Sequence, residues 1–166
     1  WMPIETLSAL EANADVQMAR ALPKIIASLG QVENQGHVAM ISDEVRRRYE
    51  LDGAGIKIGI LSTSFNLSGG QQAGINGGDL PGPGNPNGYT QPVRIVVEGV
   101  PGLFPSTSLD EGRAMAEIVH DIAPGAEILF AGPAGASSVH YANAMEALAQ
   151  AGADIIVDDI GLGPFL

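Results

Sequence analysis

Short apolar runs alternate with amphipathic stretches from residue 56 onward. "IKIGIL" (56–61) is β-branched and almost wholly apolar, which predicts a strand buried on both faces. "VRIVVE" (93–98), "AEILFA" (126–131) and "DIIVDDI" (154–160) predict three more. Between the last three lie two segments of helical period, 111–122 and 138–150. Strand, strand, helix, strand, helix, strand implies a parallel sheet with helical crossovers, an α/β fold flanked by helices. Residues 66–92, rich in Gly and Pro, predict a long surface loop with one helical turn near Gln71–Ala73.

The N-terminal part reads differently. Leu7, Leu10, Ala14, Met18 and Leu22 recur at helical spacing, and Pro23 interrupts the run. Residues 1–35 are therefore expected to be a helical extension and a linker, with a further helix at 38–49 in which Ser42 and Asp43 form an internal cap. The Arg46-Arg47-Arg48 run is expected on a solvated face near that helix's C-terminus. The chain opens on Trp1 and stops in a loop after a strand, so it is expected to be part of a longer polypeptide.

Composition narrows the classes. Aromatics are 5% of the chain, so the core must be built from aliphatic side chains. A formal net charge of -11 argues against nucleic acid or an anionic membrane as partner. There are no cysteines, which excludes thiolate nucleophiles, disulfides and Cys-ligated metals. No run of eighteen apolar residues spans a membrane. Neither metal nor other cofactor is expected: His37, His120 and His140 lack ligand spacing and read as surface residues. Asp158 and Asp159, adjacent in a strand, point to opposite faces and should not chelate together. "GAGIKIG" carries its glycines before the strand instead of between strand and helix, so it is no dinucleotide loop.

Sites in parallel sheets lie beyond the carboxyl ends of the strands. That edge collects Ser62, Thr63, Ser64, Glu111 and Asp158–Gly161. Helix 111–122 can be capped by Ser108 or Asp110, and Ala114, Met115, Ile118, Val119 and Ile122 form its apolar stripe. Arg113 can pair with Asp110 or Glu117. Glu111 in the first turn is favoured by the helix dipole whatever else it does.

Taken in order, "NQGHVAMISDEVRRRYELDGAGIKIGILSTSFN", the long loop, "DEGRAMAEIVHDIAPGAEILFA" and "YANAMEALAQAGADIIVDDIG" resemble the N-terminal half of a subtilisin-like serine peptidase. The resemblance covers about residues 32–166 and assigns 36–166 to half of that peptidase domain. It places the family's triad aspartate at Thr63 and its triad histidine at Glu111. A glutamate there resembles the sedolisins, acid-acting peptidases in which Glu is the general base towards serine. Their helper aspartate, one turn later, corresponds to Met115. The strand at 154–160 corresponds to the wall on which a substrate peptide adds, with Asp159 and Gly161 as substrate-binding positions. The resemblance implies peptide hydrolysis, a peptide or protein substrate, a secreted or extracytoplasmic location, and a nucleophilic serine in a missing C-terminal half. The chain alone is then expected to be inactive. The alternative is a non-catalytic structural or interaction module that binds another protein through the same sheet edge.

Overall fold

The computed structural model describes residues 34–103 and 109–160. The helical extension expected over residues 4–29 lies outside the described residues. Four strands, β1 (Lys57–Leu61), β2 (Arg94–Val97), β3 (Glu127–Ala131) and β4 (Ile155–Asp158), form one sheet in the order β2-β3-β1-β4. Every pairing is parallel: Gly59 lies opposite Leu129 on one side and Ile156 on the other. β1 is therefore central. Its carboxyl end opens at the middle of the sheet's edge, not at its margin.

Among the described residues five helices accompany the strands: α1 (Gln35–Met40), α2 (Ser42–Tyr49), α3 (Gln71–Gly77), α4 (Glu111–Ile122) and α5 (Ser138–Gln150). Strand alternation divides the core in two. On one face, Ile60, Ile128 and Phe130 pack with Phe65, Ile75, Leu80, Val93 and Ala116, so α3 and α4 cover this side. On the other, Leu61, Leu129 and Ala131 pack with Ala144 and Leu148 of α5. Burying a Leu or Ile side chain contributes about 1.5–3 kcal/mol, and each face has several.

Several expectations change in detail. The helix expected over 38–49 is two helices, because Ile41 adopts a left-handed conformation (φ 56°) between them. Asn34 caps α1 by accepting from the His37 N–H at 2.7 Å, so residues 34–36 belong to the helix and not to a linker. Ser42 does not cap; its hydroxyl turns to His37 Nδ1. The region after β1 is not merely a surface loop. α3 runs for seven residues, and Ile75 and Leu80 beyond it enter the core.

Two histidines and one arginine are corrected too, while Arg47 and Arg48 are exposed as expected. His37 (2% exposed) and His120 (3%) are buried, not surface residues. His120 meets Tyr89 edge-on at 5.2 Å. Arg46 is not on a free solvated face: it donates to the carbonyls of Asp121 (2.7 Å) and Ile122 (3.0 Å). Those are orphan acceptors at the C-terminus of α4, so α2 supplies that helix's cation.

Candidate functional site at the carboxyl edge

Ser62, Thr63 and Ser64 leave β1 fully or almost fully buried. The turn is wedged between the ends of its neighbours. A Cβ on Gly99, after β2, would lie 2.0 Å from the Thr63 carbonyl oxygen, so only glycine permits this approach. Glu98 directly follows β2 and holds the same turn from outside. Its carboxylate accepts from the backbone N–H groups of Phe65 (2.8 Å), Asn66 (3.2 Å) and Gly99 (2.7 Å). The sequence reading did not single out Glu98; a carboxylate closing an apolar strand at the functional edge was the available signal.

α4 begins against this turn. The Gly112 N–H donates to the Ser64 carbonyl at 3.1 Å, which fixes the backbone of Glu111 beside the end of β1. A Cβ at 112 would strike Phe130 Cε2 at 2.2 Å. The Glu-Gly pair therefore has a local logic: the glycine seats the helix start on β3, and the carboxylate before it stands at the rim. Glu111 itself is exposed. Partial burial and then the charge of Asp159 push its carboxyl above the ordinary glutamate range.

Asp110 has the opposite fate. It sits at the helix N-cap in a left-handed conformation (φ 58°) without capping through its side chain. Its carboxylate instead accepts from Leu67 N (2.7 Å), Ser68 N (2.9 Å), the hydroxyls of Ser64 (3.0 Å) and Ser68, and Arg113 Nη1 (2.9 Å). Ser64 Oγ also accepts from the Asp110 N–H at 2.7 Å. Burial opposes the charge, but hydrogen bonds from the Ser68 side chain and backbone, Leu67 and Ser64 outweigh it and hold the carboxyl below its usual value. Its carboxylate thus ties the turn after β1 to Arg113 of α4. Arg113 pairs with both expected partners, closely with Asp110 and at 3.8 Å with Glu117.

The other site positions follow from the sheet. β4 ends at Asp158, which accepts a hydrogen bond from Tyr141 of α5, while the charge of Asp159 reaches Glu111 on α4. Thus Glu111, Thr63 and Asp159 come together along one edge. Gly161 lies outside the described residues. Met115 packs against the core and offers no charge one turn below Glu111. Ser62 Oγ is buried and has no hydrogen-bond partner among the described residues. Among the described residues no group of three or more His, Cys, Asp or Glu side chains is placed to hold a metal ion. No described helix is long and apolar enough to cross a membrane.

The arrangement offers one solvent-facing carboxylate with weakened acidity at a helix start, above the end of a central strand. It can accept a proton from a group brought to the rim. It has no second charged residue positioned to orient it from β1 or from its own helix. Comparison of the chain with family models, with curated proteins and with solved structures finds no match.

Proposed function

We propose that this chain is a homologue of the subtilisin and sedolisin peptidases, carrying the half of the domain that bears the general base, with Glu111 as that base. The observation that carries the reading is the junction of Glu111 with the end of β1. A parallel sheet, a carboxylate in the first turn of the crossover helix and a Gly112-to-Ser64 backbone bond bring the base position beside the acid position, Thr63. In the reaction, the ionised Glu111 carboxylate takes the proton of a serine hydroxyl as its oxygen attacks a peptide carbonyl. The same proton passes to the leaving amine, and water then releases the acyl group by the reverse sequence. The raised proton affinity of Glu111 makes its ionised form a stronger base than an ordinary glutamate.

In this reading the serine belongs to another part of the domain, which would pack on apolar side chains left exposed on β4 and α4. Ile156 faces the α5 side, so Ile155 (53% exposed) and Val157 (38%) face the α4 side, opposite Ile58 and Ile60 in register. Ile118 of α4 is 48% exposed on the same side. An added strand and helix would cover them. Substrate would lie beyond the carboxyl end of β4, with Asp159 beside it.

One observation favours a second reading, a non-catalytic module binding a protein partner at this surface. Thr63 and Met115 occupy both positions from which the family orients its base, and neither carries charge. The two readings separate in the full-length product of the gene. Hydrolysis of an unfolded protein substrate that disappears in Glu111→Gln, with an unchanged melting temperature, supports the peptidase. Absence of hydrolysis in the wild type at every pH leaves the module.

A further inference from the structure

The packing of α3 on α4 turns on one shared cation. Arg113 Nη1 donates to Asp110 (2.9 Å), to the Gly69 carbonyl (2.7 Å) and to the Phe65 carbonyl (3.1 Å), tying α4 to the segment after β1. Its Nε stands 3.8 Å from Glu117 Oε1, one turn further along the helix. Glu117 is half-buried at the contact with α3: a Cβ on Gly74 would lie 3.4 Å from Glu117 Oε1 and 3.0 Å from Leu80 Cδ1. Arg113 and Asp121 act on it from its own helix, and Asp79 acts from the segment following α3. α3 contributes no charge, only the backbone of Gly74. His120, the next titratable group on α4, turns to Tyr89. Glu117 therefore faces two carboxylates and a guanidinium already engaged elsewhere.

We propose that Glu117 is a pH-sensitive latch between α4 and the segment 66–80. With Glu117 protonated the segment seats on α4. With Glu117 ionised, repulsion from Asp79 and competition with Asp110 for Arg113 loosen it. Burial first, then Asp79, raise this carboxyl to about 7, with Arg113 pulling the other way and Asp121 adding to the rise. Asp79 is itself raised, by burial and then by Asp121. The seated state binds the proton more tightly than the loosened one. Its advantage is therefore full below the ordinary glutamate value of 4.5 and is lost as pH rises through about 7. His120 acts in the opposite sense, because its buried ring resists protonation in acid. The latch does not depend on the peptidase reading, since neither Glu111 nor a nucleophile enters it.

Hydrogen exchange at pH 5 and pH 8, corrected for intrinsic rates, tests it on the full protein. Backbone amides of 66–80 should lose about tenfold or more in protection from pH 5 to pH 8. Glu117→Gln should abolish that difference, Asp79→Asn should reduce it, and the control Glu44→Gln, on α2, should leave it intact. Should Glu117→Gln fail to fold, Asp79→Asn and a direct NMR titration of the Glu117 carboxyl in the wild type decide the matter. Protection in 66–80 that is equal at both pH values, or greater at pH 8, overturns the latch. So does a pH difference retained in Glu117→Gln, or a Glu117 carboxyl titrating at its ordinary value.

Discussion

Asp110 and Glu111 are neighbours of the same chemistry with different work. Asp110 is the buried hub of the turn after β1, and Glu111 stands at the rim with one face to solvent. Asp110→Asn keeps the shape but sets an amide NH₂ against N–H donors and weakens the pair with Arg113. It should cost about 2–4 kcal/mol at neutral pH, read by chemical denaturation. Because the Asp110 carboxyl is held below its usual range, its contribution is present above the ordinary aspartate value and fades as pH falls through the lowered one. The difference between wild type and Asp110→Asn should therefore shrink in strong acid. Glu111→Gln should leave the melting temperature at neutral pH unchanged or slightly higher, because the wild-type charge is disfavoured by burial and by Asp159. A large loss of stability in Glu111→Gln would make it a structural carboxylate.

Among the elements, what could be read beforehand was whatever follows from period and composition. All four strands and both long helices fall where the apolar runs put them, and β-branched strands buried on two faces entail parallel pairing. The stripe on α4 was placed only in part. Met115 and Val119 pack against the core as expected, but Ala114 and Ile118 are exposed and the most buried line runs through Gly112, Ala116 and His120. Tertiary packing decides this: Gly112 must meet Phe130, which rotates the helix and leaves Ile118 outward. The burial of His37 and His120 was hidden because histidine has no preferred side of a helix until its neighbours are known. Gly112→Ala separates local from tertiary control. In an isolated helix alanine would add about 1 kcal/mol of stability. Here the clash with Phe130 and the Ser64 carbonyl should instead cost about 2 kcal/mol, measurable as a drop in melting temperature. A stabilised variant would mean that α4 does not start against β3.

For the molecule as a whole, the carboxyl edge could be foreseen from topology, but the partners of its residues could not. Nothing in "STSFN" or "VVEGV" announces that Glu98 and Asp110 both clamp the turn, since those contacts span more than thirty residues of sequence. The exposed flank of β4 has its own consequence. An edge strand with Ile155 and Val157 uncovered invites pairing. Residues 1–166 produced alone should self-associate, and Ile155→Lys with Val157→Lys should return them to monomers in sedimentation velocity. Monomers of the unaltered chain with a sharp cooperative melt would favour a self-sufficient module.

The central claim is that Glu111 is a general base, and the pH profile of kcat/KM for the full-length protein tests it most directly. A base works only when ionised, so peptide hydrolysis should rise with pH through a single step placed above the ordinary glutamate value. Glu111→Gln should reduce kcat/KM by about 100-fold or more, remove that step and keep the fold. Hydrolysis of undiminished rate and unaltered pH profile in Glu111→Gln would contradict the account and leave Glu111 as a carboxylate that only favours its helix dipole.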